Sequence, residues 1–381
     1  MLRKGGKMEE ESIAYWLCTR PGIGIKKARL LLEKLGSLSA VYEAEPSQFL
    51  HIPGLSQACI RELVSEAGRE TAQREWEELR KRKIGYFSCF GKDYPERLRW
   101  LYQPPKHLYV KGKLPEASRR AVGIVGARDC TSYGRDMARL FGCRLARAGV
   151  EIISGMAKGI DGWAHQGALE GGGRTYAVLG CGVEVCYPAE HRRLYERIQK
   201  NGGILSEFPI EMKAKAAFFP MRNRIISGLS DGILVVEARE RSGSLITADA
   251  ALEQGKDVFV VPGRIGDVLS VGCNRLIRQG AIPVTAPEEI LEYYGIDMVP
   301  DRKREYSDND MNICSEEVPS FMEGMGTVEE KILACAAVMP IHIDALAATL
   351  KVSRTDVMKG VLRLKKENKL RETARGYFMC Y

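Results

Sequence analysis

Short apolar runs separated by glycine-rich polar turns recur between residues 121 and 284 of the chain. The runs read AVGIV, VEIIS, TYAVL, GILVV and DVFVV, and each is followed by a turn rich in Gly, Ser, Lys or Arg. Such short, nearly continuous apolar runs are typical of parallel strands that are buried on both faces and lead into helices. The pattern therefore predicts an α/β domain with a parallel sheet over residues 121–295.

The segments before this domain have different patterns. Residues 9–75 predict helices, and two similar turns, at 21–24 and 53–56, resemble paired helix-hairpin-helix units of a helix-hairpin-helix or SAM-like domain. Such hairpins either present backbone N–H groups to a phosphate or only turn the chain within a helical bundle. Residues 76–120 predict a bridge that packs on the next domain, although its aromatic and basic side chains also suit base stacking.

The segments after the sheet predict a linker and a small domain. Residues 296–326 are rich in acidic residues and lose the apolar period, which predicts a flexible acidic linker. Residues 327–381 follow the order helix, helix–turn–helix and hairpin, which predicts a winged helix. Its third helix, 354–370, carries several Lys and Arg residues, and two roles stay open: contact with DNA, or contact with a protein partner.

Composition adds weaker constraints. The 381 residues carry a formal net charge of +8, which favours acidic partners such as nucleic acid. No apolar stretch approaches the roughly 20 residues of a membrane span, and no signal peptide is evident, so we expect a cytoplasmic protein without a membrane partner. The eleven cysteines form no CxxC pair and the five histidines are scattered, so we expect reduced thiols and neither a metal nor a cofactor.

The turns after the first two strands contain candidate phosphate ligands. Turns that follow parallel strands meet at one edge of the sheet, where ligands bind. Gly126, Ala127 and Arg128 follow the first strand, and Lys158 follows the second. Glycine permits close backbone approach, the next helix adds a positive end, and arginine donates two hydrogen bonds at once. The turn reads GxxGxR rather than GxGxxG and no acidic residue ends the next strand, which argues against a dinucleotide cofactor.

Two later helix starts add further candidates. These are Arg222, Asn223 and Arg224 after FP, and Ser242, Gly243 and Ser244 before LITA. Donors placed beside a positive helix end favour a bound anion, although salt bridges to Glu207 or Glu237 would also explain the arginines. Asp161 and His165 lie four residues apart, either as an acid–base or metal pair or as a helix cap and a packed side chain.

At these residues the chain resembles the DprA/Smf family of DNA-processing proteins. The resemblance is carried in order by GIVGARDCTSYG, SGMAKGIDGWAHQGAL, FPMRNRIISGLS, VVEARERSGSLITADAALEQGKDVFVVPG and GCNRLIRQGA. It implies an extended Rossmann-like sheet that dimerises, binds and protects single-stranded DNA, and loads the RecA recombinase during natural transformation. The family's Gly-Ser-Arg DNA-contact motif falls on Gly126, Ala127 and Arg128, with Ala replacing Ser. Lys158, Arg222 and Arg224 lie at its other basic positions.

Two other functions remain to be weighed against a non-enzymatic DNA-binding protein. A nucleoside-monophosphate phosphoribohydrolase of the related Rossmann-like group needs a Gly-Gly-x-Gly-Thr-x-x-Glu turn, whereas residues 241–247 contain no Glu and Asp249 is the nearest carboxylate. A duplex-DNA regulator that works through the winged helix would leave the basic edge of the sheet unexplained. The sequence therefore predicts a protein that is not an enzyme and that grips a nucleic-acid backbone.

Overall fold

The protein folds as two compact units, Met1–Val299 and Pro300–Tyr381. The structure, a computed structural model, describes residues 9–296, 327–336, 341–350, 352–374 and 376–380. The predicted linker 296–326 lies outside the described residues except for Ile296. In the described ranges no helix has both the length and the apolar content needed to cross a membrane.

The first unit begins with a cluster of helices. They are α1 (Glu10–Thr19), α2 (Ile25–Leu35), α3 (Leu38–Glu43), α4 (Pro46–Leu50), α5 (Gln57–Val64) and α6 (Glu66–Lys81). The two turns that resemble each other in sequence each hold a left-handed glycine, Gly22 with φ 73° and Gly54 with φ 83°. Each turn leads directly into a helix, α2 or α5. Glycine occupies these two positions because it takes the left-handed backbone conformation without a steric cost. A DNA contact by these hairpins stays a prediction.

A nine-stranded sheet forms the centre of the first unit. Its strands are β1 (Gly85–Ser88), β2 (His107–Gly112), β3 (Ala121–Val125), β4 (Glu151–Ser154), β5 (Thr175–Val178), β6 (Gly202–Ser206), β7 (Gly232–Val235), β8 (Asp257–Val260) and β9 (Ile282–Pro283). Their spatial order is β1-β2-β6-β5-β4-β3-β7-β8-β9. Neighbours from β6 to β9 are parallel, and only β1 and β2 are antiparallel to their neighbours. The predicted α/β class with an extended, mostly parallel sheet is confirmed.

Helices cover both faces of this sheet. They are α7 (Glu96–Arg99), α8 (Ser132–Arg147), α9 (Ile160–Glu170), α10 (Arg192–Asn201) after a 3-10 turn at Ala189–His191, α11 (Phe218–Leu229), α12 (Gly243–Glu253), α13 (Val271–Arg278) and α14 (Pro287–Tyr293). Val122 and Ile124 of β3 belong to the core formed with α8, α9 and α14, whereas Ala121 and Val125 belong to the core formed with α11 and α12. This alternation explains why the strand is apolar throughout.

The predicted bridge contributes strands to the sheet. β1 and β2 lie within 76–120 and extend the sheet at one edge, where Tyr109 pairs with Ser206 of β6. The helix α6 continues to Lys81, past the predicted boundary at residue 75, because Trp76 and Leu79 keep its buried face apolar. The division into 9–75, 76–120 and 121–295 stays a prediction, and all three segments lie in one compact unit.

The second unit is small and has its own core. Its elements are α15 (Val328–Ala336), β10 (Ile341–His342), α16 (Ile343–Leu350), α17 (Arg354–Lys366), β11 (Leu370–Ala374) and β12 (Tyr377–Cys380). The strands form a sheet in the order β10-β12-β11. Leu346, Val357, Val361 and Leu364 are buried where the helices meet. The assignment of residues 327–381 as a winged helix stays a prediction.

Glycines set the close packing of α8 against α9. A Cβ on Gly142 would overlap the carbonyl oxygen of Ala164, and one on Gly167 would overlap that of Arg139. We expect Gly142→Ala to lower the free energy of unfolding by about 1–3 kcal/mol, because overpacked contacts force the backbone to shift. Gly266→Ala is the control, since its Cβ would point into open space. Urea unfolding followed by circular dichroism measures both, and equal stabilities of the two variants would contradict this account.

Candidate nucleic-acid interface

The sheet changes direction between β3 and β7, and a groove opens at this point. From β3 the chain moves to β4 on one side, whereas from β7 it moves to β8 on the other side. The loops at the carboxyl ends of two such strands diverge and leave a crevice, where α/β proteins of this type bind ligands. Here the turn 126–129 and the loop 236–244 line a groove of ≈ 530 Å³.

The groove brings together most of the predicted site residues. The predicted residues that line it are Gly126, Ala127, Arg128, Arg222, Asn223, Ser242, Gly243 and Ser244. Lys158 and Arg224 are not among its lining residues. The sequence analysis did not single out Arg239, Arg241, Tyr187 or Phe219, which also line the groove. The two arginines follow β7, so their position after a strand at the switch point was a usable signal.

Arg128 extends from a turn that is held in place by packing. Gly159 has φ 75°, and a Cβ there would overlap the carbonyl oxygens of Ala127 and Arg128. The carbonyl of Ala127 accepts a hydrogen bond from Ile160 N at 3.1 Å. Arg128 itself is exposed, and its guanidinium lies 5.2 Å from the centre of the Phe219 ring. A backbone held by packing thus carries an exposed cation beside an aromatic ring.

Arg239 and Arg241 add two further cations to the groove. Both side chains are exposed. Within residues 9–296, no carboxylate lies at ion-pair distance from Arg128, Arg239 or Arg241. A guanidinium without a protein partner presents its five N–H donors to solvent or to an incoming anion.

The N-terminus of α12 also faces the groove. Ser242 caps this helix, and its hydroxyl accepts a hydrogen bond from Ser244 N at 3.3 Å. The Oγ atoms of Ser242 and Ser244 are 2.7 Å apart. Gly243 is exposed, and nothing lies within 4 Å of the position that its Cβ would take. The positive end of the helix is therefore accessible to an anion.

Arg222 lines the groove from below but is not available at its surface. Its side chain is 4% exposed. Nη1 donates hydrogen bonds to the carbonyls of Gly155, at 2.8 Å, and Val178, and Nε donates to Asn223 Oδ1 at 3.2 Å. Asn223 Nδ2 donates in turn to the carbonyl of Gly243 at 3.2 Å. The sequence predicts phosphate donors at Arg222, Asn223 and Arg224, and the structure gives Arg222 and Asn223 internal partners.

Asp161 provides the opposite charge to Arg222. Its carboxylate accepts a hydrogen bond from Gly155 N at 3.1 Å. Burial raises the pKa of Asp161, and the nearby positive charge of Arg222 opposes this rise. Burial also lowers the pKa of Arg222, to about 10. His165 is buried against Thr175, with Nδ1 and Oγ1 2.6 Å apart, and burial lowers its pKa to about 3. The geometry agrees with packing for His165, whereas Asp161 binds the loop before α9 and does not cap the helix, whose N-cap is Gly159.

Lys158 and Arg224 form ion pairs away from the groove lining. Arg224 pairs with Glu207 and also donates to the carbonyl of Gln103 at 2.8 Å. This is one of the two salt bridges that the sequence left open. Lys158 is exposed and pairs with Glu190 at 2.7 Å. Neither residue lines the groove, and a DNA contact by either stays a prediction.

The N-terminus of α8 is already occupied by a carboxylate of the protein. Glu237 accepts hydrogen bonds from Thr131 N at 2.9 Å and from Thr131 Oγ1 at 2.5 Å. The sequence analysis expected this helix end to attract a phosphate next to Gly126. In the structure Glu237 lies at this helix end and binds the N-cap residue Thr131, whereas the N-terminus of α12 is open to the groove.

Comparison with known proteins identifies relatives over most of this region. A family model described as "DNA recombination-mediator protein A" matches residues 86–295. "DNA processing protein DprA" of Bacillus subtilis (strain 168) is 38% identical over 275 residues, which cover 70% of this chain and 91% of that protein. "Protein Smf" of Escherichia coli (strain K12) is 49% identical over 211 residues, 55% of this chain and 56% of that protein. The resemblance inferred from the motifs is confirmed.

Two solved structures show the same fold. DNA processing protein A (DprA) from Streptococcus pneumoniae has a TM-score of 0.63 and 33% identity, covering 75% of this chain and 98% of its own. DNA processing protein A from Helicobacter pylori has a TM-score of 0.50 and 28% identity, covering 56% and 95%. The description of the latter structure concerns a unique single-stranded DNA binding mode of that protein.

We expect alanine substitutions of Arg222 and Arg128 to have different effects on the free energy of unfolding. We expect Arg222→Ala to lower the free energy of unfolding by about 3–5 kcal/mol, because it leaves buried Asp161 and two carbonyls without their partner. Arg128→Ala should change it by less than about 0.5 kcal/mol, since that side chain is exposed. Urea unfolding at neutral pH compares the two. An Arg222→Ala variant as stable as the wild type would show that the guanidinium does not support the groove.

Proposed function

Since this chain belongs to the DNA recombination-mediator protein A family, we propose that its groove binds single-stranded DNA without sequence preference and protects it. We further propose that the protein acts in the cytoplasm, where it loads RecA recombinase on the bound strand during DNA uptake. We also propose that it forms a homodimer through the Rossmann-like domain. The DNA-binding proposal is supported by the groove itself. The RecA and dimer proposals are supported by the family resemblance.

One observation carries the proposal: exposed cations without carboxylate partners surround the open N-terminus of α12. Arg128, Arg239 and Arg241 supply guanidinium donors, and Ser242 and Gly243 mark the helix end. Phosphate oxygens are the natural acceptors for both kinds of donor. Contacts to phosphates carry no sequence information, so binding through them is independent of sequence.

Aromatic side chains beside these cations favour a single strand over a duplex. The rings of Tyr187 and Phe219 lie 5.6 Å apart in a tilted arrangement, and Tyr187 is 44% exposed. Unpaired bases stack on such rings, whereas the bases of a duplex are already stacked on each other. The description of the Helicobacter pylori relative as a single-stranded DNA binder agrees with this choice.

We propose that the protein is not an enzyme. The carboxylates that line the groove are Asp129 and Asp161. Asp161 is held by the backbone beside Arg222, and the turn 241–247 lacks the glutamate that a phosphoribohydrolase requires. Release of adenine from AMP by the purified protein would support the enzymatic alternative instead.

The second unit is less suited to be the main DNA-binding site. On α17, Arg354 pairs with Asp344, Arg363 with Glu329 and Lys365 with Glu372. Lys359 also pairs with Asp356 on the same helix. Exposed pairs such as these exchange partners easily, so contact with duplex DNA and contact with a protein both remain open for this unit.

Arg128 provides the most direct test of DNA binding. We expect Arg128→Ala to weaken binding to oligo-dT about tenfold or more, because a hydrogen bond to a charged group contributes about 1.5–3 kcal/mol. The slope of log K against log salt should fall by about 0.7, the value for one lost phosphate contact on a single strand. Gel-shift titrations at several salt concentrations measure both quantities.

Arg147→Ala is the matched control for Arg128→Ala. Arg147 is exposed in the last turn of α8. This helix starts at the carboxyl edge of the sheet and runs back, so its end lies at the opposite edge. The control should bind oligo-dT like the wild type. Equal affinities of all three proteins would rule out a DNA contact by Arg128.

RecA loading requires its own measurement. On strands coated with a single-strand-binding protein, we expect the wild type to shorten the lag before RecA hydrolyses ATP. At concentrations where the Arg128→Ala variant does not bind the strand, the lag should equal the lag measured without the variant. If the wild type binds oligo-dT but never shortens the lag, DNA binding stands and the RecA proposal fails.

A further inference from the structure

Glu237 combines a buried carboxylate with a position at a ligand-binding helix end. It lies two residues after the end of β7 and is 5% exposed. Its Oε2 accepts a hydrogen bond from Thr131 N at 2.9 Å, and its Oε1 accepts one from Thr131 Oγ1 at 2.5 Å. A loop of one strand at the switch point is thereby joined to the helix that follows the neighbouring strand.

The hydrogen bonds determine which atoms donate. Thr131 caps α8, and its Oγ1 accepts a hydrogen bond from Gly134 N at 3.0 Å. The single hydroxyl proton is therefore free to go to Glu237 Oε1. Both oxygens of Glu237 act as acceptors, as those of a carboxylate do.

The first turn of α8 has a shape that accommodates this carboxylate. A Cβ on Gly134 would overlap the carboxylate carbon and oxygen of Glu237. The carbonyl of Glu237 also lies 3.0 Å from the position of a Cβ on Gly126. The small size of Gly134 is thus explained by the Glu237 side chain, and that of Gly126 by Ile160 together with the Glu237 carbonyl.

The helix end that Glu237 occupies is the usual phosphate site of a doubly wound sheet. In nucleotide-binding members of this architecture the phosphate lies at the N-terminus of the helix after the first strand of the parallel set. Here that strand is β3 and that helix is α8, which is 16 residues long. The positive end is present, but a carboxylate of the protein already lies there and accepts hydrogen bonds from the N-cap residue Thr131.

We propose that Glu237 is a specificity-determining residue, whose carboxylate takes the place of a nucleotide phosphate at the N-terminus of α8. This inference deepens the proposed function and rests on it, because it explains why the groove would take a polymer and not a free nucleotide. With the inner anion position filled, the remaining donors, Arg128, Arg239 and Arg241, lie at the outer rim of the groove. A strand meets several of them in succession, whereas a mononucleotide meets one.

Removal of the carboxylate tests the proposal without DNA. Glu237→Ala should bind inorganic phosphate at the vacated position, and Glu237→Gln should not, since its amide still fills the space. Phosphate at about tenfold its dissociation constant should raise the thermal midpoint of the alanine variant by about 3 °C more than that of the wild type. Sodium chloride of equal ionic strength and the wild type in phosphate correct for general salt effects.

Each outcome of the phosphate experiment either supports or overturns the proposal for Glu237. A folded Glu237→Ala variant that phosphate stabilises no more than the wild type overturns the proposal. If this variant does not fold in chloride, Glu237→Ser replaces it, and failure of both to fold even in phosphate also overturns it, since an external anion should then restore the helix end. Oligo-dT binding by the wild type is measured in parallel. Its absence would refute the proposed function while leaving the phosphate result on Glu237 intact.

Discussion

The groove depends on one buried guanidinium. Arg222 holds the carbonyls of Gly155 and Val178, which mark the carboxyl ends of β4 and β5, and reaches the start of α12 through Asn223. Gly155 must be glycine, because a Cβ there would overlap the guanidinium. Burying an arginine is favourable only when its donors are satisfied and a carboxylate such as Asp161 lies nearby. These contacts fix three loops relative to one another before any ligand arrives.

In the same region some charged side chains have partners within the protein, whereas others are available to a ligand. Arg222 lies beside Asp161 beneath the groove, and Arg224 pairs with Glu207 on the other side of α11. Glu237 satisfies the start of α8. What remains for a ligand is a rim of exposed arginines around the start of α12. A rim of this kind suits phosphates that repeat along a chain, because no single deep position is left for an isolated anion.

The sequence predicted the sheet and the location of the groove better than the role of each side chain. Apolar runs such as AVGIV are sufficient to identify buried parallel strands, and loops at their carboxyl ends must converge. The sequence offered Glu207 and Glu237 as possible partners of the arginines, but only tertiary packing decides that Glu207 pairs with Arg224. Glycine was ambiguous in the same way: Gly126 suggested close approach of a phosphate, but Ile160 and the Glu237 backbone occupy the space beside it. Arg239 was missed although its position after β7, at the switch point of the sheet, was a usable signal.

The number of exposed donors also limits how the proposed function works. Three arginines and one helix end would contact only a few phosphates. Each contact on a single strand adds about 0.7 to the salt slope, so one groove alone would bind with modest, salt-sensitive affinity. If the two grooves of a dimer bound one strand, binding to the second groove would be intramolecular. The high effective concentration would raise the overall affinity without new kinds of contact. Modest affinity per groove has a further consequence, since a protein that hands a strand to a recombinase must also release it. The proposed dimer and the proposed loading of RecA are therefore physically compatible: avidity retains the strand, and stepwise release of weak contacts allows its transfer.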